Sequence, residues 1–231
     1  MTRPVVFLGP SLPLCDARAI LDADYRPPAG QGDLLRAAFE QPPAIALIDG
    51  IFRNAPTVRH REILWALSRG LPVFGASSMG ALRAAELHGH GMIGAGLIFR
   101  WYRRFALLPD DAVAITHGPA ELGAPPLSAA LVDIRRTIAA ARKAGALSAR
   151  HAAGLTAQAT AQPFAERQCP PGLTPYRRHQ KAEDARLLLR RMATHAATGH
   201  WPTPKTKAPP VVHAWLDDLK DSGIATDCVA E

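Results

Sequence analysis

The chain has 231 residues, 48% of them hydrophobic, and a formal net charge of +7, which suits one large domain or a core with a smaller appended part. No run of about 18 apolar residues occurs, so no transmembrane helix is expected, and "MTRPVVFLGPSLP" (1–13), broken by Gly9 and Pro10, reads as a first strand and loop instead of a signal peptide. The three cysteines, Cys15, Cys169 and Cys228, are few, odd in number and far apart, which argues against a disulfide framework or zinc site and for a reducing cytoplasm.

In chain order, "PVVFLGP" (4–10) reads as a strand entering a loop, and "LCDARAILDA" (14–23) and "GDLLRAAFEQ" (32–41) have helical spacing. "AIALIDG" (44–50) is a buried-strand run ending in Asp49-Gly50. "HREILWALSRG" (60–70) is an amphipathic helix, with Ile63, Leu64 and Leu67 on one face and Gly70 closing it. "PVFGA" (72–76) predicts a third strand, "MGALRAAELHGHG" (79–91) starts a helix, and "DAVAITHG" (111–118) predicts a fourth strand. Strands 4–8, 44–48, 72–76 and 112–116 are expected in one sheet. Their alternation with helices argues for an α/β fold: a mostly parallel sheet flanked by helices. After about residue 127 the strand signal ends. "SAALVDIRRTIAAARKAG" (128–145) predicts a long helix with Ser128 as N-cap and Gly145 past its end. Helices follow over 148–161, 177–197 and 212–223, with a break at "CPPGLTP" (169–175) and a Pro/Lys linker at "WPTPKTKAPP" (201–210). The division drawn is 1–126 as the α/β core and 127–231 as a helical, basic C-terminal part.

The charge is unevenly placed. Residues 176–207 hold eight basic residues (Arg177, Arg178, Lys181, Arg186, Arg190, Arg191, Lys205, Lys207) against Glu183 and Asp184, giving +6 in that stretch alone. Such a face docks an acidic protein or stays solvated. With few aromatics interleaved it offers no stacking platform for single-stranded nucleic acid, so nucleic acid is not the expected partner.

The stretch "FGASSMGALRAAEL" (74–87) joins a predicted strand to a predicted helix. Ligands of open α/β sheets collect at the carboxyl ends of strands, where both Asp49 and Ser78 fall if strands 44–49 and 72–76 are parallel neighbours. "ASSMG" (76–80) is a relaxed form of the G-x-S-x-G elbow, with small Ala76 and Gly80 letting strand and helix meet around Ser78. Three readings stand: a serine-capped turn, an anion cradle of helix-start N–H groups, or a nucleophilic Ser78. A dinucleotide loop lacks its G-x-G-x-x-G here, and a Walker A loop lacks its Gly-Lys-Ser/Thr ending. A nucleophile needs a base. On paper His60 or His117 with Asp49 completes a triad, and Lys181, with arginines around it, offers a Ser–Lys pair. Asp49, Arg83 and Glu86 read either as a buried ion-pair set behind the turn or as direct participants.

"VFLGPSLP" (6–13), "LIDGIF" (47–52), "VRHREILWAL" (58–67), "VFGASSMGALRAAELHGHGMIGAG" (73–96), "DDAVAITHGP" (110–119) and "PLSAALVDIRRTI" (126–138) together resemble the TfuA-like proteins. The resemblance resumes at "HQKAEDARLLL" (179–189). It implies a cytoplasmic accessory protein for a YcaO enzyme in backbone thioamidation of a precursor peptide, needing no cofactor and no metal. The implied activity is hydrolysis of a thiocarboxylated ubiquitin-like sulfur-carrier protein, releasing sulfide. The alternatives are a docking subunit that activates the YcaO partner without chemistry of its own and, further off, an ordinary serine esterase. Carried over, the family's serine falls on Ser78, with Ser77, Met79 and Gly80 shaping its turn. Many relatives have Lys where this chain has Arg61, and arginine does not serve as a base near neutral pH. The base is therefore assigned to Lys181, in a segment similar to the family's "QK-x-x-DA". Arg61 is left to bind the carrier tail or support Glu62. Asp49 is expected to order the loop after it, His60 to orient either partner, and Arg61 or Arg83 to offset the thiocarboxylate charge.

Overall fold

The computed structural model describes residues 2–51, 56–104, 109–116, 118 and 126–229. Five short strands form one all-parallel sheet: β1 (Val5–Phe7), β2 (Asp24–Arg26), β3 (Ile45–Leu47), β4 (Val73–Gly75) and β5 (Ile93–Gly94), in the order β2-β1-β3-β4-β5. Val5 stands opposite Ile45, and Ile45 opposite Val73, so the apolar runs of β1, β3 and β4 share one register at the centre. Parallel strands buried on both faces need this near-continuous apolar character.

Alternation along the strands divides the core in two. Val5, Phe7, Ile45, Leu47 and Val73 face α2 (Asp33–Phe39), α3 (His60–Ser68) and α4 (Met79–Leu87). Val6, Leu8, Ala46, Ile48, Phe74 and Ala76 face the other way, onto Ala17 of α1 (Leu14–Arg18) and Ala185, Leu188, Leu189 and Met192 of α8 (Gln180–Thr198). The sheet is thus sandwiched between helices, and one of the covering helices comes from near the end of the chain. Between them run α5 (Gly96–Arg104), then α6 (Leu131–Lys143) and α7 (Ala149–Ala161), which pack as a hairpin; α9 (His213–Asp221) buries Trp215 and Leu219.

The α/β class, with helices filling the C-terminal part, is as expected. Three readings need correction. The first helix stops at Arg18, and the half-exposed β2 that follows was not foreseen. The predicted strand over 111–118 does not form among its described residues, since Asp110–Val113 make a 3-10 turn. Its backbone groups go elsewhere: Ala114 N–H turns back to Asp111 O at 3.0 Å, Thr116 N–H goes to Ser128 Oγ at 2.7 Å, and Val113 O accepts from Lys181 Nζ at 2.9 Å. Thr116 O accepts from the backbone N–H groups of Leu127 and Ser128, so the segment's groups go to turns, side chains and this short contact and not to the sheet. The bond from Thr116 N–H to its hydroxyl also removes Ser128 from the helix cap, so α6 begins at Leu131, after Ala130.

Candidate active site

The turn after β4 is shaped by two close approaches. A Cβ on Gly80 would overlap the Leu47 carbonyl oxygen, and one on Gly75 would overlap the Gly80 carbonyl oxygen, both inside the 3.0 Å that real Cβ atoms keep. Glycine at both positions lets α4 start directly against β3 and β4. The chain enters the helix through Ser77, a left-handed residue at φ +69° with a wholly buried side chain whose Oγ has no hydrogen-bond partner. A non-glycine residue rarely holds that conformation. Ser78 follows as N-cap at φ −102°, ψ −124°, and its hydroxyl makes no cap hydrogen bond.

Of the first four N–H groups of α4, Gly80 donates to Ile48 O at 3.3 Å, and Ala81 and Leu82 both return to Ser78 O. Met79 N–H is left without an acceptor among the described residues. A backbone donor beside a serine hydroxyl that is not spent on capping its own helix is an element an oxyanion site requires.

Asp49, at the end of β3, is spent as an acceptor. Its Oδ2 takes Gly9 N–H at 2.9 Å and Ser11 N–H at 3.1 Å, and its Oδ1 takes the Ser11 hydroxyl at 2.6 Å. It therefore fixes the loop after β1 against the sheet's carboxyl edge. Pro10 and Ser11 of that loop form one wall of a cavity of about 360 Å³. Lys181, Arg177, Arg178 and Arg186 line the same cavity, as do Asp133 and Cys169. Ser78 is not among the residues lining it.

Lys181 is buried at 5% exposure. Its Nζ donates to Val113 O at 2.9 Å, and its N–H donates to Asp133 Oδ1 at 3.1 Å. No hydrogen bond joins Lys181 to Ser78. Burial pushes the Asp133 carboxyl up from its ordinary value, against the pull of the Lys181 charge. One turn along α8, Asp184 accepts Leu97 N–H at 2.9 Å and Ile98 N–H at 2.8 Å, capping α5; Gln180 bridges Asp184 to Arg136. These bonds lock α8, and with it Lys181, onto α5 and α6.

The remaining candidates lie apart from Ser78. His60 Nε2 contacts Glu86 Oε2 at 2.8 Å. Arg83 donates to the same oxygen at 2.8 Å and to Val58 O at 3.1 Å. Burial pushes the Glu86 carboxyl up, but the hydrogen bonds from His60 and Arg83 outweigh it and hold the carboxyl below its usual range. Glu86 is eight residues beyond Ser78 on α4, about 12 Å at 1.5 Å per residue, so this cluster braces α3 on α4. Arg61 donates to Pro210 O at 2.7 Å, tying down the linker before α9. Glu62 is buried in α3, with Oε1 accepting Arg59 N–H at 2.9 Å and Oε2 unpartnered; burial pushes its carboxyl up to about 7. His117 lies outside the described residues. Cations do stand at the carboxyl edge, but they come from Arg177, Arg178, Lys181 and Arg186 and not from Arg61 or Arg83.

Ser11 and Asp133 were not singled out in the sequence, and Cys169 was read only as one of three scattered cysteines. Asp133 lies within "PLSAALVDIRRTI", one of the stretches carrying the resemblance, but nothing there indicates that it meets a lysine 48 positions later.

The fold and this edge define a parallel-sheet α/β protein with a serine turn after β4 and a cationic cavity that reaches the loop after β1. The family model of the TfuA-like protein matches residues 49–168, more than half of the chain, and the chain belongs to that family. No match is found among curated proteins. Among the described residues, no helix is long and apolar enough to cross a membrane.

Proposed function

We propose that this protein serves a YcaO enzyme in peptide backbone thioamidation by hydrolysing a thiocarboxylated sulfur-carrier protein to supply sulfide. The observation that carries the reading is the turn at 77–80. A left-handed Ser77 leads into Ser78, whose hydroxyl makes no cap hydrogen bond, and Met79, whose N–H has no acceptor among the described residues, at the carboxyl ends of the strands.

A thiocarboxylate resists attack because its negative charge is spread over sulfur and oxygen. Cations at the edge and the Met79 N–H offset that charge. The Ser78 oxygen bonds to the carbonyl carbon, the carbon–sulfur bond breaks, and hydrosulfide leaves with the serine proton, giving a serine ester of the carrier. Water then cleaves the ester, releasing the carrier carboxylate and a proton and restoring the hydroxyl. Lys181 is the proposed base. Its Nζ donates to Val113 O at 2.9 Å, which fixes where the amine stands in the lining of the cavity. The exposed Arg190 and Arg191 of α8 extend the cationic surface outward and are proposed to meet an acidic face of the carrier or the YcaO partner.

The test is sulfide release from purified thiocarboxylated carrier, with the YcaO partner absent and then present. Ser78→Ala should abolish release with the fold intact, and Lys181→Ala should lower it by about 10²–10⁴-fold. Full release by Ser78→Ala would end the hydrolase reading. A second reading, a docking and activating subunit without chemistry, is favoured by one fact: the Lys181 amine is bonded to Val113 and not to Ser78. Thioamidation that survives Ser78→Ala would support it.

A further inference from the structure

The hairpin of α6 and α7 opens outward into a groove of about 960 Å³, remote in sequence from the turn at 77–80. Its floor is apolar and low: Ile138, Ala139, Ala152, Ala153 and Ala157 leave little side chain between an incoming element and the two helix backbones. Ala139, Ala153 and Ala157 are exposed. One rim is built by Arg135, Arg142 and Lys143, and no carboxylate lines the groove. None of these three cations has an ion-pair partner among the described residues.

We propose that this groove docks an amphipathic helix of a partner protein, seated by its apolar face and held by acidic residues along one flank. The shape fits a helix. Both walls are 13 residues long, about 20 Å at 1.5 Å per residue, and a groove between two antiparallel helices accepts a third by ordinary helix packing. Charge selects the chemistry. Arg135 and Arg142 stand seven residues apart on α6, about 10.5 Å along the axis, so they match carboxylates at heptad spacing on the occupant. The groove is cationic on a rim that carries no neutralising partner, which favours an acidic helix and rejects a basic one. This surface acts independently of the chemistry proposed for Ser78.

The probes are two fluorescein-labelled peptides of three heptads, identical in their leucine and alanine face, one flanked by glutamate and one by lysine. Anisotropy titrations with the full chain should show saturable binding of the glutamate peptide, at least about tenfold tighter than the lysine peptide and weakening with salt. The triple variant Arg135→Glu, Arg142→Glu, Lys143→Glu should invert that preference. Ala153→Trp, which fills the groove and leaves the cations in place, should weaken the glutamate peptide about tenfold. Circular dichroism should show all variants folded, since the altered side chains reach the surface. Equal binding of both peptides, absence of binding, or an affinity unmoved by the charge reversal would overturn the proposal. A self-association of the unaltered chain that Ala153→Trp abolishes would also overturn it, by assigning the groove to a second copy.

Discussion

Glu62 offers a direct test of how burial governs this fold. Its side chain is 2% exposed and its Oε2 has no partner, so burial moves its carboxyl from 4.5 to about 7. Because the folded value lies above the unfolded one, the folded state holds the proton more tightly. Its stabilising contribution is complete below about pH 4.5 and is lost as pH rises through about 7. At about 1.4 kcal/mol per pH unit the whole step is worth about 3 kcal/mol, of which about 2–3 kcal/mol falls between pH 5 and pH 8. For a chain of this size that corresponds to roughly 4–12 °C in melting temperature. Glu62→Gln keeps the acceptor for Arg59 N–H and cannot titrate, so subtracting its melting curve cancels every other group. The assay is thermal unfolding of both proteins at pH 5, 6, 7 and 8. The stability of the natural chain relative to Glu62→Gln should fall steadily across that range. Parallel profiles for the two proteins would refute the reasoning.

Gly80→Ala should destabilise the chain by about 2 kcal/mol, because overlap with an immovable β3 carbonyl puts the overpacking cost at the upper end, about 3 kcal/mol, against a gain of about 1 kcal/mol for alanine in a helix; a melting point at or above that of the natural chain would count against the close approach. Ser77→Gly should raise stability by about 1 kcal/mol, since it relieves the left-handed backbone and removes an unpartnered buried hydroxyl, as read by urea unfolding. Asp184→Ala should cost about 2 kcal/mol by uncapping α5, and hydrogen exchange should speed up first at Leu97 and Ile98.

The parts of the fold that could be read from the sequence are those whose apolar pattern is local. Ile45–Leu47 and Val73–Gly75 announce themselves because a central parallel strand is apolar on both faces, and His60–Ser68 because its period is helical. β5 is two residues long and β2 is half-exposed, so neither leaves a periodic trace. Residues 111–116 carry the alternation of a strand, yet their backbone is claimed by the Lys181 amine and the Ser128 hydroxyl, two side chains from elsewhere in the chain. The site divides the same way. The serine turn was legible because its glycines, serines and methionine are contiguous. The cavity was not, because Ser11, Asp133 and Lys181 meet only in three dimensions. Arg61 and Arg83 look like site cations in sequence, but packing spends them on Pro210, Val58 and Glu86.

The covering of the second sheet face by α8 has a consequence for synthesis. Phe74, Ile48 and Val6 emerge from the ribosome long before Leu188, Leu189 and Met192 exist to cover them. The nascent chain therefore carries an exposed apolar sheet face while more than a hundred further residues are translated, and an α5 without its cap until Asp184 is added. Contacts of such long sequence separation are slow to form and leave a growing chain prone to association. A fragment ending before residue 180 would keep the serine turn and much of the family-matched segment, yet it would fold no better than a sheet with one side missing.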